Sequence, residues 1–101
     1  MHADAYRDLQ EAQLQNARLI GARLDGAYLQ DADLRGAQLQ YAHLAGAFLQ
    51  SADLSGADLT RADLTRAKLH GADLTGTVWS NTTCPDGTNS DDDGGTCAGT
   101  K

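Results

Sequence analysis

Ala52-Asp53-Leu54-Ser55-Gly56-Ala57-Asp58-Leu59-Thr60-Arg61-Ala62-Asp63-Leu64-Thr65-Arg66 is one five-residue phrase written three times. In both directions the phase holds. Leu recurs every fifth residue from Leu9 to Leu74, fourteen times without a miss, and Trp79 fills the next slot. Ala stands two residues before Leu thirteen times running, from Ala12 to Ala72, and Thr77 follows. Seven glycines (Gly21, Gly26, Gly36, Gly46, Gly56, Gly71 and Gly76) fall two residues after a Leu, and the other four lie in the tail.

A period of five excludes both ordinary secondary structures. On an α-helix it advances about 500°, so successive leucines would scatter around the circumference. On a straight strand five is odd, and neighbouring leucines would point to opposite faces. All of them face inward only if the chain bends once per repeat, giving a short extended side and then a turn. Glycine after Leu suits that bend, because turns commonly require φ > 0. Four sides close a coil of twenty residues, which predicts the outward columns Gln13–Asp33–Asp53–Asp73, Arg18–Gln38–Asp58–Val78, Arg23–His43–Asp63 and Asp8–Tyr28–Phe48–Lys68.

Ala-Asp-Leu-Ser-Gly at 52–56, Ala-Asp-Leu-Thr-Arg twice over 57–66 and Ala-Asp-Leu-Thr-Gly at 72–76 resemble the A-(D/N)-L-x-x repeat of pentapeptide repeat proteins. The resemblance covers residues 9–79 and implies an all-β fold, a right-handed quadrilateral β-helix with Leu and Ala inside. At twenty residues a turn that is about three and a half coils. The expected layout is an N-terminal cap or irregular lead-in over 1–8, the β-helix over 9–79 and a polar tail over 80–101. Arg7 in the Ala slot would bury a charge, so the regular coil begins near Leu9, and residues 3–11 are read as a short helical cap. Trp79 is read as a plug over the open end of the core, with an aromatic platform for a ligand as the alternative.

Beyond Trp79, Cys84 and Cys97 enclose a stretch without an apolar residue, which cannot hold itself by packing. A disulfide would close that loop; two free thiols in a flexible tail are the other reading. The pair favours an oxidising compartment. Thr-Thr-Cys-Pro-Asp-Gly-Thr at 82–88 is also similar to the tail that follows the repeats in many bacterial and plastid-lumen members, which implies an extracytoplasmic address: periplasm, secreted or thylakoid lumen. Met1-His2-Ala3-Asp4 has neither the basic nor the apolar region of a secretory signal, and no apolar run is long enough to cross a membrane.

For function the chain is less informative. Asn89, Asp91, Asp93 and Gly94 match the opening of a calcium loop, but Thr100 stands where the closing Glu belongs, so a solvated acidic loop is the favoured reading. The histidines, His2, His43 and His70, lie on different columns, and no phosphate loop or metal spacing is present. The expectation is a non-enzymatic module without cofactor, monomeric or weakly self-associating, that presents a rigid surface to an unknown protein. Tyr28 and Phe48, with Tyr41 across a corner, are the candidate contact patch, and simple ladder stacking is the alternative. Some relatives mimic DNA and bind type II topoisomerases. The net charge of −6 suits that role poorly, since half of it sits in the tail, and the rest of the chain carries seven basic residues against ten acidic. Acidic balance also argues against binding nucleic acid itself.

Overall fold

The computed structural model describes residues 8–100. Bridges between neighbouring coils are isolated, parallel and join residues twenty apart: Asp8 to Tyr28 to Phe48 to Lys68, Gln13 to Asp33 to Asp53 to Asp73, Arg18 to Gln38 to Asp58 to Val78, and Arg23 to His43 to Asp63 to Thr83. The first coil has four sides: residues 8–11 (face 1), 13–16 (face 2), 18–21 (face 3) and 23–26 (face 4). Later coils repeat them every twenty residues.

Each side is tied to its neighbours by the same hydrogen bonds. In the middle of the rod the N–H of Leu54 donates to the Asp73 carbonyl at 2.8 Å, that of Asp53 to Ala32 at 2.9 Å, and that of Ala57 to Leu54 within the corner at 3.0 Å. The corner explains the glycine column. Every residue two after a Leu, from position 11 to position 76, has positive φ, and so does Asn81, two after Trp79. Seven are glycines, but Glu11, Asn16, Asp31, Tyr41, Ser51, Arg61, Arg66 and Asn81 adopt the same left-handed conformation, with φ from 49° to 63°. The fold thus imposes on eight side chains a conformation that favours glycine.

Inside, Leu29 through Leu64 are fully buried together with the alanines between them. The Ala column also takes Thr77 and Thr82, which are buried as the alanines are. The ladder also runs past Trp79. Thr83 pairs with Asp63, the N–H of Leu64 donates to the Thr83 carbonyl at 2.8 Å, and Cys84 occupies a Leu slot, fully buried. At the other end residues 8–11 already form the first side, with Leu9 donating to Tyr28, so they are not helical; the rest of the expected cap lies outside the described residues.

The two ends differ. At the C-terminal end Cys84 is bonded to Cys97, and the tail folds back over faces 3 and 4. Ser90 donates its N–H to the Thr82 carbonyl at 2.8 Å, Thr83 pairs antiparallel with Asn89, and Asn81 donates to Asp91. Thr77 and Thr82, in Ala slots, donate their hydroxyls to the Leu54 and Leu59 carbonyls, each at 2.8 Å. Trp79 packs half-buried on the end of the core beside Leu74. At the N-terminal end Leu9, Leu14, Leu19 and Leu24 are all half-buried.

Candidate functional site

The outward columns carry whatever the rod can offer a partner. On face 1, Tyr28 and Phe48 stack with ring centroids 5.2 Å apart, and the Lys68 ammonium sits 4.5 Å from the Phe48 ring centroid. The bridges that hold residues 28, 48 and 68 in line dictate this stack. Offset rings and a cation over a ring face are both attractive arrangements. Tyr28 and Phe48 are half-buried, so each shows solvent one flank.

Tyr41 does not join them. It stands at the corner between faces 3 and 4, a whole side away, and its partner is Arg61 in its own column, 5.9 Å from the ring centroid. It is 56% exposed, as is Ile20 on the same face, and Val78 further along that face is 46% exposed. Face 3 therefore carries all the exposed large apolar residues among those described. Ile20 could have been noticed in the sequence, where it is the only large aliphatic in the position after Leu.

The aspartates before Leu serve the turns. Asp53, Asp58 and Asp63 each accept the N–H and the hydroxyl of the residue two ahead, Ser55, Thr60 and Thr65. Asp73 accepts from the Thr75 N–H at 3.0 Å, and this bond holds its carboxyl below the usual carboxylate range. Asp33 is lowered chiefly by the side chain of Arg35, whose guanidinium lies 2.6 Å away. In these positions Asp organises the corner and is not a free acid.

The tail carboxylates are similarly occupied. Asn89 caps the 3₁₀ turn Ser90–Asp92 by accepting from the Asp91 N–H; Asp91 accepts from Asn81; Asp93 accepts from the Thr88 hydroxyl. Thr88 also donates to Asp86 and holds that carboxyl low. Among the described residues no three His, Cys, Asp or Glu side chains form a group that could hold a metal ion. His43 and His70 are exposed on faces 4 and 1.

A family model for pentapeptide repeats matches residues 8–40 and 42–78 in eight copies. A comparison with curated proteins finds no match. Among solved structures, a pentapeptide repeat protein from Nostoc is 36% identical, with 75% of this chain and 69% of that one covered, at a TM-score of 0.48. A pentapeptide repeat protein from the thylakoid lumen of Arabidopsis thaliana is 26% identical over 91% of this chain and 77% of its own, at a TM-score of 0.37. HetL, a Nostoc pentapeptide repeat protein involved in heterocyst differentiation regulation, is 26% identical over 81% and 61%, at 0.34.

Proposed function

The chain belongs to the pentapeptide repeat family, whose fold is a right-handed β-helix, and from that premise we propose that it is a non-catalytic interaction module. It is a rigid, four-sided rod that meets a protein partner through the Tyr28–Phe48–Lys68 ladder. The observation that carries this reading is the stack itself. Aromatic and cationic groups dominate contact energies, and here the coil already fixes their rotamers, so binding would order little more. The Cys84–Cys97 bond supports an oxidising, extracytoplasmic compartment. DNA mimicry, suggested by a rod of net charge −6, is disfavoured because Arg18, Arg23 and Lys68 stand in the outward columns and Arg61 and Arg66 at the corners.

A photo-crosslinking residue at position 48, in cells of the source organism, tests the reading. The expected result is one protein adduct from position 48, lost on Lys68→Glu and absent when the crosslinker sits at Ala45 on face 4. Equal adducts from both positions, or none from position 48, would overturn it.

A further inference from the structure

We propose that the partner of face 1 is a second copy of this chain, laid antiparallel against it about a two-fold axis. This names the occupant of the contact surface proposed above and rests on that reading. Charge on face 1 is sorted along the rod. Its acids, Asp8, Glu11 and Asp31, stand on the first two coils, and its bases, Lys68 and His70, on the fourth. Between these ends the outward side chains Tyr28, Gln30, Phe48, Gln50 and Ser51 are neutral. No other face is sorted in this way: Arg35 stands among the aspartates of face 2, Asp58 lies between Arg18 and Arg61 on face 3, and both signs recur along face 4. The tail pairs with faces 3 and 4, and on face 1 Glu11, Asp31, Ser51, Lys68 and His70 are exposed.

A partner for face 1 must present the reverse order of charge at the same spacing, and the same face turned end for end does so. A two-fold axis crossing face 1 between the second and third coils sets Asp8 opposite Lys68 of the second copy. It also sets Gln10 opposite His70, Tyr28 opposite Phe48 and Gln30 opposite Gln50, each pair twice. The rungs stay in step because both copies repeat at one strand spacing, roughly 4.8 Å. The carboxamides favour the same pairing. Among the described residues the buried side-chain oxygens of Gln30, Gln40 and Gln50 lack a hydrogen-bond donor, and two of the three lie on this face. Turned outward in the pair, Gln30 and the opposing Gln50 donate to each other, which satisfies groups that are costly to leave unbonded. Four sides and two ends share a surface of 5405 Å², so one side offers about 900 Å². Covering about two thirds of it on each copy removes about 1,200 Å², the low end for a specific contact, which fits a micromolar dimer. Each copy uses the face once, so assembly closes at two.

Sedimentation equilibrium of the purified full chain from about 1 µM to about 1 mM is the test, joined to photo-crosslinking from position 48 in the same samples. The expected result is a monomer–dimer equilibrium, with adducts that map to residues 28–31 of the second copy. Lys68→Glu should weaken the dimer about tenfold or more by facing Asp8 with a like charge, with the circular dichroism unchanged. Asp8→Lys added to that variant should restore it, and added salt should weaken the unsubstituted dimer. A monomer throughout the range, species beyond two copies, indifference to Lys68→Glu, or adducts at residues 48–51 would each overturn the antiparallel pair. A chain that stays monomeric but yields an adduct with a different protein at position 48 in cells overturns this inference and leaves face 1 as the contact surface. Loss of every adduct at position 48 takes both.

Discussion

Reducing the Cys84–Cys97 bond should loosen one end of the rod, and the chain carries its own reporter there. Closing a loop between residues 13 apart removes unfolded-state entropy worth about 3 kcal/mol. The bond also anchors the tail whose Ser90 and Asn89 pair with Thr82 and Thr83, so its loss weakens the pairing of the residues that follow Trp79. With an m-value of roughly 1 to 3 kcal/mol/M, the urea midpoint should fall by roughly 1 to 3 M on reduction. Trp79 is the sole tryptophan and sits half-buried on the core's end, so its emission reads that end alone, while circular dichroism reads the coils. Fluorescence should therefore shift red at lower urea than the ladder melts once the thiols are free. If thiol counting shows complete reduction and neither midpoint moves, the tail does not hold the end, and the stabilising role given to the disulfide is wrong.

Other consequences follow from the same geometry. Leu59→Ala, at a fully buried slot in mid-rod, should cost about 3 to 5 kcal/mol, and Leu14→Ala at the half-buried first coil about half that or less, measured by urea unfolding; equal costs would contradict the burial gradient. Gly46→Ala has open space for its Cβ but φ of 69°, so it should destabilise by about 1 to 2 kcal/mol from backbone strain alone, whereas Arg66→Gly, relieving φ of 62°, should stabilise by about 1 kcal/mol; the opposite signs would refute the strain argument. Asp33, Asp73 and Asp86 have folded pKa values below their ordinary ones, so their contribution is present above the unfolded value of about 3.9 and disappears as pH falls through the folded values. The melting temperature should drop below about pH 4, and a rise on acidification would contradict the bonding assigned to these carboxylates.

The repeat was legible because it is local and periodic. Leu in one phase, Ala in another and Gly at the corner follow from a bend every five residues, and the twenty-residue register then places Phe48 on Tyr28 without further information. The positive φ of the glycine column extends to eight other residues because the closed coil overrides their preference. Where the pattern changes residue type, reading it as periodic is harder. Thr82 and Cys84 keep the Ala and Leu phase beyond Trp79, but only a structure shows the Thr82 hydroxyl satisfying the Leu59 carbonyl and Cys84 filling a leucine's place. Column order alone puts Tyr41 near the aromatic patch, yet the corner at which it stands separates it by a full side from Tyr28. The tail depends on non-periodic pairs such as Thr82 with Ser90, which no spacing rule reveals.

Residue-resolved amide hydrogen exchange puts the coil itself to the test. In the middle coils the N–H groups of Leu, of the corner residue and of the following two residues enter backbone bonds, while the residue after Leu is held only where an Asp precedes it by two. Protection should therefore lapse at Gln30, Gln40, Ala45 and Gln50, all in the position after Leu, and persist in that position at Arg35, Ser55, Thr60 and Thr65. Continuous protection through residues 30–50, or lapses at every second residue, would contradict a coil that bends once per repeat.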